Sequence, residues 1–125
     1  MLFRSDGEVR ELVVRTLNGD MGVMAGHENI VCPLGMGQAL IVTDEGKRSA
    51  ACIGGILTVL GGKARLVPTT FEWADKIDLL RAENAEKRAR EQMQSARSSE
   101  ELKLAEARLK RALIRESVSR EAKGR

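Results

Sequence analysis

Aromatic side chains are nearly missing from this sequence: it has no tyrosine, and Phe3, Phe71 and Trp73 are its only large rings. A protein that grips single-stranded nucleic acid by stacking spaces such rings along a basic surface, so that mode of binding has no material here. Histidine occurs once, as His27, and cysteine twice, as Cys32 and Cys52, without CxxC spacing. With no spaced carboxylate pair either, too little is left for a metal site or a catalytic triad, which argues against an independent enzyme. The two cysteines stand in apolar, strand-like surroundings and read as reduced, buried thiols rather than a disulfide scaffold. Apolar runs such as Ala39-Leu40-Ile41-Val42 fall far short of the roughly 18 residues that a membrane-spanning helix needs. No charged, apolar, small-residue leader opens the chain, which argues against secretion.

What is present is 125 residues, 42% hydrophobic and 31% charged, with a net charge of +3. That is a length for one small domain with or without an appendage, and a composition too apolar for a disordered chain. The average hides a division near residue 70. Residues 1–70 hold 11 of the 12 glycines and both prolines, with 7 basic side chains against 7 acidic ones. Residues 71–125 hold 14 basic and 11 acidic side chains, and their one glycine is Gly124. The first part reads as turn-rich β structure and the second as exposed helix.

In the first part, the runs Leu12–Val14, Ala39–Thr43, Ile53–Val59 and Arg65–Val67 alternate with turn signals at Asn18-Gly19-Asp20, Pro33-Leu34-Gly35, Asp44-Glu45-Gly46 and Gly61-Gly62. Consecutive apolar positions such as Leu40-Ile41-Val42 want cover on both faces, and the economical architecture is a small antiparallel β-sandwich or barrel. Gly54-Gly55 inside an apolar run predicts a bulge or a close backbone approach. A phosphate-cradling loop is the sharper alternative, but no GxxxxGK[ST] or GxGxxG run accompanies it.

In the second part, Ile77–Ala96 contains no helix breaker, and Ala82, Ala85, Ala89, Met93 and Ala96 draw a narrow stripe of mostly small residues. Ser98 followed by Glu101 is a capping box for a second helix, whose stripe runs Leu102, Ala105, Leu109, Ala112, Leu113. The short connection predicts an antiparallel hairpin. An alanine seam lets the axes approach closely but adds little, since each buried CH₂ is worth about 0.8 kcal/mol. Such a hairpin is suited to docking on something or to opening. Its last helix carries Lys103, Arg108, Lys110, Arg111, Arg115, Arg120, Lys123 and Arg125, and alternating charges such as Glu86-Lys87-Arg88 fit a solvated face equally well. The excess of base would favour an anionic partner: an acidic protein surface, a phosphate ligand or a nucleic-acid backbone. A small nucleic-acid-binding protein using a basic hairpin is the alternative reading, and the interleaved Glu106, Glu116 and Glu121 speak against it.

Four segments, in order along the chain, resemble the epsilon subunit family of the F-type ATP synthase. Gly19-Asp20-Met21-Gly22-Val23-Met24-Ala25-Gly26-His27 is similar to that family's G(D/E)xGxxxGH segment, and Gly54-Gly55-Ile56-Leu57-Thr58-Val59 to its GGxLxV strand. Ile77-Asp78-Leu79-Leu80-Arg81-Ala82 resembles its (I/L)DxxRA motif, and Lys110-Arg111-Ala112-Leu113-Ile114-Arg115 the arginine-bearing segment of the last helix in ATP-binding members. The resemblance implies a β-sandwich over residues 1–72 followed by a regulatory two-helix hairpin over 73–125. It implies a non-catalytic central-stalk subunit whose partners are the gamma subunit, the c-ring and the beta subunit of the catalytic head. Proton translocation would be coupled to rotation, and the hairpin would inhibit ATP hydrolysis. The location implied is the cytoplasmic side of a bacterial cell membrane, reached only through the complex. No cofactor is required, and ATP would be a regulatory ligand.

The resemblance also bears on single residues. Asp20 is accounted for as a turn residue, and the family position would face it to the c-ring. His27 is a structural histidine or, by resemblance, part of the gamma-facing surface. Asp78 can cap a helix and pair with Arg81. The family reading makes Asp78, Arg81, Arg111, Arg115 and Glu72 contacts for ATP. Arg111 and Arg115 lie one helical turn apart and can converge on phosphates. Family members usually carry a further strand ahead of the Leu2-Phe3 equivalent. The expectation is a chain that starts late; a sandwich lacking that strand would instead leave Gly7–Thr16 with an unpaired edge.

Overall fold

The computed structural model describes residues 8–124, so the expectations that fall on Leu2, Phe3, Gly7 and Arg125 lie outside the described residues. Six strands come first: β1 (Glu11–Thr16), β2 (Gly19–Met24), β3 (Ile30–Pro33), β4 (Met36–Thr43), β5 (Gly46–Leu60) and β6 (Lys63–Trp73). A 3₁₀ turn (Ala74–Lys76) and two helices, α1 (Leu79–Ser95) and α2 (Ser99–Lys123), follow. The chain divides between Trp73 and Ala74 into two compact units.

In the first unit every pairing is antiparallel, in the order β2-β1-β4-β5-β3, with β6 also on β5. This is the antiparallel β architecture that the run-and-turn pattern predicts. The turns are chemically specified. In Thr16-Leu17-Asn18-Gly19 the threonine Oγ1 donates to the Gly19 carbonyl at 2.6 Å and accepts the Asn18 N–H at 3.1 Å. Thr43-Asp44-Glu45-Gly46 repeats the arrangement between β4 and β5. The β5–β6 turn places Gly61 and Gly62 at φ 56° and 79°, the two positive values of a type I′ hairpin. The Asn29 side chain accepts the Gly61 N–H at 3.0 Å.

Strand β5 organises the sheet. Its first part pairs with β4 and its second with β3, while β6 runs along its other edge. Leu12, Val14, Val23, Leu34, Ala39, Ile41, Cys52, Leu57, Val59 and Leu66 form the core. At the change of partner stand Gly54 and Gly55, at φ 71° and 110°. Pairing with β6 keeps one register through them, from Ile53↔Thr70 to Gly55↔Pro68, so of the two expectations for this pair the close approach is realised and the bulge is not. A Cβ on Gly55 would lie 2.2 Å from the Val67 carbonyl oxygen. The β3–β4 connection is pinned at the same place, with Leu34 N–H on the Gly55 carbonyl and Gly54 N–H on the Gly35 carbonyl.

Two strands lack the expected propensity. β2 begins at Gly19 and contains Asp20, which the pattern assigns to a turn; the turn is Leu17-Asn18, and Asp20 pairs across from Arg15. Cross-strand pairing with β1 outweighs the poor β preference of Gly and Asp. Pro33 likewise ends β3 rather than opening a turn. β1 lies between β2 and β4, so the unpaired edge that a missing strand would leave is not found over Glu11–Thr16; among the described residues β2 is the outer strand at that end.

In the second unit, the Asp78 carboxylate caps α1 by accepting the Arg81 backbone N–H at 3.1 Å. Ser98 caps α2 by accepting from Glu101 N–H at 3.1 Å, and Glu101 reaches back to Arg97 N–H at 2.8 Å, one residue before the cap. The buried seam residues of α1 are Ala82 and Ala89. On α2 the expected stripe is buried at Ala105 and Ala112, whereas its members Leu102 and Leu113 are exposed and Glu116, Val118 and Ser119 are buried instead.

Candidate functional site

Between α1 and α2 lies a groove of about 280 Å³. Its lining has the same spacing on both sides. Helix α1 supplies Ala85, Arg88, Ala89 and Gln92; α2 supplies Arg108, Arg111, Ala112 and Arg115. Positions i, i+3, i+4 and i+7 share a helix face, so each helix presents a single stripe to the other. Ala89 and Ala112 are fully buried and make the floor, which small side chains keep open. Four guanidinium groups stand around that floor, with no carboxylate among the lining residues. Arg108 Nη1 donates across the gap to Gln92 Oε1 at 3.2 Å. Guanidinium forks suit phosphate oxygens, which they bind through charge-assisted, often bidentate hydrogen bonds.

Of the residues expected to contact a nucleotide, Arg111 and Arg115 meet in this groove. Asp78 and Arg81 do not line it. Asp78 is the N-cap of α1, seven residues before Ala85, and Arg81 lies on the first turn, four residues before it, or about 10 Å and about 6 Å along the axis at 1.5 Å per residue. The Asp78 carboxylate meets the Arg81 main chain, not its guanidinium. Glu72 lies on β6 in the other unit, opposite Ala51. Arg108 is marked in the sequence only as part of the basic load of the last helix, and Arg88 and Gln92 are not marked as contacts at all. The signal for them is the repeated arginine–alanine spacing, which an alternating-charge reading of Glu86-Lys87-Arg88 obscures.

Near the far end of the hairpin is a second group of charges. Glu116 is buried, its side chain 5% exposed, so it is not the interleaved surface acid that the sequence suggests. Its Oε1 accepts from Arg120 Nη1 at 3.0 Å, and Arg120 Nη2 donates to Glu83 Oε2 at 2.7 Å. Glu86 accepts from Arg90 Nε at 2.8 Å. Burial first, then the neighbouring Glu86 carboxylate, raise the Glu116 pKa, while Arg120 opposes the rise. The Glu86 pKa is lowered, chiefly by the bond from Arg90.

In the sheet unit, Asp20 Oδ1 accepts from Arg15 Nε at 2.6 Å across the β1–β2 pair. This is an exposed ion pair, of the kind that adds little stability. His27 follows β2, with its backbone N–H on the Met24 carbonyl at 3.1 Å. Its Nδ1 lies 2.8 Å from the Glu28 carbonyl oxygen, which assigns the ring proton to Nδ1 because a carbonyl only accepts. An outward row on β3 and β5, consisting of Val31, Ile56 and Leu60, is exposed and apolar; composition gives no sign of it. Among the described residues no helix is long and apolar enough to cross a membrane.

Comparison with known proteins covers both units. Residues 3–74 match the family described as ATP synthase, Delta/Epsilon chain, beta-sandwich domain, and residues 75–119 match ATP synthase, Delta/Epsilon chain, long alpha-helix domain. The ATP synthase epsilon chain of Caldicellulosiruptor bescii is 37% identical over 115 residues, spanning 92% of this chain and 84% of that protein. That of Ruminococcus albus is 36% identical over 115 residues, spanning 91% and 86%. Among solved structures, a chain of the Euglena gracilis mitochondrial ATP synthase, resolved with OSCP, F1 and c-ring, superposes with a TM-score of 0.78 at 26% identity, covering 97% of this chain and 73% of its own.

Proposed function

The chain belongs to the epsilon-chain family of ATP synthase, and from that premise we propose that its hairpin is a nucleotide-stabilised switch on a non-catalytic stalk subunit. In this reading the sheet unit seats on the gamma subunit and the c-ring and couples proton flow to rotation. Asp20, His27 and the apolar row Val31, Ile56 and Leu60 are its candidate contacts. The hairpin alternates between a closed form and an extended form that reaches the beta subunit and blocks ATP hydrolysis. Association with the bacterial membrane, on its cytoplasmic side, is through the complex alone.

The observation that carries the switch is the arginine-rimmed, alanine-floored groove shared by the two helices. An anion held there touches both helices at once and favours the closed form by its differential affinity for that form. The donor set fits phosphate: Arg88, Arg108, Arg111 and Arg115 offer only donors, and no acid is among the lining residues. The volume, about 280 Å³, lies at the small end of ligand sites and suits a phosphate chain better than a whole nucleotide. Asp78 and Arg81 then remain, by resemblance, as contacts for the rest of the nucleotide. The alanine seam keeps closed and open forms near in energy, so modest contacts shift the balance.

Calorimetry of ATP with the full chain tests this, with Arg111→Ala as control. Micromolar binding that the substitution abolishes is the expected result; no heat even at millimolar ATP refutes the nucleotide control. In the assembled enzyme, removing residues 78–125 should raise ATP hydrolysis and leave coupling intact. Unchanged hydrolysis after truncation refutes the inhibitory role.

A further inference from the structure

We propose that Glu86 and Glu116 form a proton-held latch: one proton shared between their carboxyl groups fastens α2 to α1, and its loss lets the hairpin open. The inference rests on the switching reading above and adds a second control to it, distinct from the groove. The geometry begins with an unanswered acceptor. Glu116 is buried, Arg120 satisfies its Oε1, and its Oε2 has no donor among the described residues. Glu86 lies within hydrogen-bonding reach across the seam, but as a carboxylate it too offers only acceptors. Two ionised carboxylates that close repel each other, and a single proton turns the contact into an O–H···O⁻ bond, which is short and strong.

The surrounding charge agrees. Helix α1 brings Glu83, Glu86 and Arg90 to this region, and α2 brings Glu116 and Arg120. Three carboxylates face two guanidinium groups, so one proton makes the cluster neutral and its loss leaves a net negative charge on a cluster in which Glu116 is buried. The 3₁₀ turn that also packs on α2 contributes Asp75 and Lys76, exposed and opposite in sign, and neither acts on Glu116. Ser119, one turn along α2, is buried with its Oγ also lacking a partner, so no neighbouring hydroxyl answers Glu116.

The sign follows from linkage. The closed hairpin holds a proton that the open one releases in the pH range above the ordinary carboxylate value, so closure is fully favoured below that range and is lost as pH rises through the raised pKa of Glu116. One proton limits the effect to tenfold in the closed-to-open ratio per pH unit. Glu86, shifted downward by Arg90, acts oppositely: its contribution is lost as pH falls below the ordinary carboxylate range.

Hydrogen exchange of the full chain, read at the α2 amides of residues 105–119 from about pH 5 to about pH 9 and corrected for the intrinsic rate, tests the latch. Wild-type protection should fall with rising pH by up to tenfold per unit. Glu116→Gln, which keeps a neutral donor in place, should be protected independently of pH. If that buried substitution fails to fold, Glu86→Gln at the more exposed partner should remove the pH dependence in the same way, because the amide donates to Glu116 at every pH. A wild-type slope retained in the glutamine variants overturns the latch and leaves the switch standing. Wild-type protection that is high and flat at every pH overturns the opening on which both rest.

Discussion

Replacing Gly55 by alanine tests whether the bend of β5 is set by contact or by conformation. The new methyl would stand 2.2 Å from the Val67 carbonyl oxygen, 2.6 Å from Pro68 Cα and 3.0 Å from Thr69 N, all backbone atoms that cannot turn aside. Holding a non-glycine residue near φ 110° costs about 1–3 kcal/mol, and forcing extra volume into a packed contact costs about another 1–3. The expected loss is therefore about 2–6 kcal/mol, a large share of the roughly 5–15 that a small domain has. Gly61→Ala is the comparison, at φ 56° with no atom within 4 Å, and should cost only the roughly 1–2 kcal/mol of left-handed backbone. Urea unfolding followed by tryptophan emission reads the sheet unit cleanly. Trp73 is the sole tryptophan, edge-on to Phe71 at 5.0 Å and 3.8 Å beneath the Arg48 guanidinium. Equal losses for the two variants, or a Gly55→Ala loss under about 1 kcal/mol, would refute the steric account of the bend.

Arg88→Ala and Arg108→Ala should each weaken binding of a phosphate ligand by about tenfold or more, as befits loss of a charge-assisted bond, measured by the same calorimetry as Arg111→Ala. Ser98→Ala removes the cap of α2 and should cost about 1 kcal/mol, seen as faster exchange of the first-turn amides of that helix while the sheet amides are unchanged. In the folded chain a thiol reagent should modify half-buried Cys32 well before buried Cys52, whose pKa desolvation pushes up to about 11. Cys52 favours the fold fully below its usual value of 9.0, and that contribution fades as pH rises toward about 11, so alkaline unfolding should be delayed in Cys52→Ala.

The division into sheet and hairpin was legible because it rests on glycine, proline and charge, which act locally. Helix caps at Asp78 and Ser98 could likewise be read from side chains next to the backbone groups they satisfy. β2 and β3 were not, because Gly19, Asp20 and Pro33 are poor strand formers held in place by partners distant in sequence. At the site, Arg111 and Arg115 were found through a motif on one helix. Arg88 and Arg108 belong to the groove only by virtue of how two helices face each other, a relation that a single helical stripe does not contain. The burial of Glu116 is hidden for the same reason: spacing places it beside Ala112 and Ser119, but a charged residue in a charge-rich helix looks solvated until the partner helix covers it.

Each helix contributes half of the groove, and neither half has four arginines of its own. An anion that uses both halves therefore measures the fraction of molecules in which the halves are together. Its apparent dissociation constant is the intrinsic one divided by that fraction. Any change in the seam that shifts the closed population tenfold, about 1.4 kcal/mol where that population is small, would register as a tenfold change in affinity without touching an arginine. In the proposed switch, Ala82, Ala89, Ala105 and Ala112, which make no polar contact with a ligand, would thus set the concentration at which it is sensed.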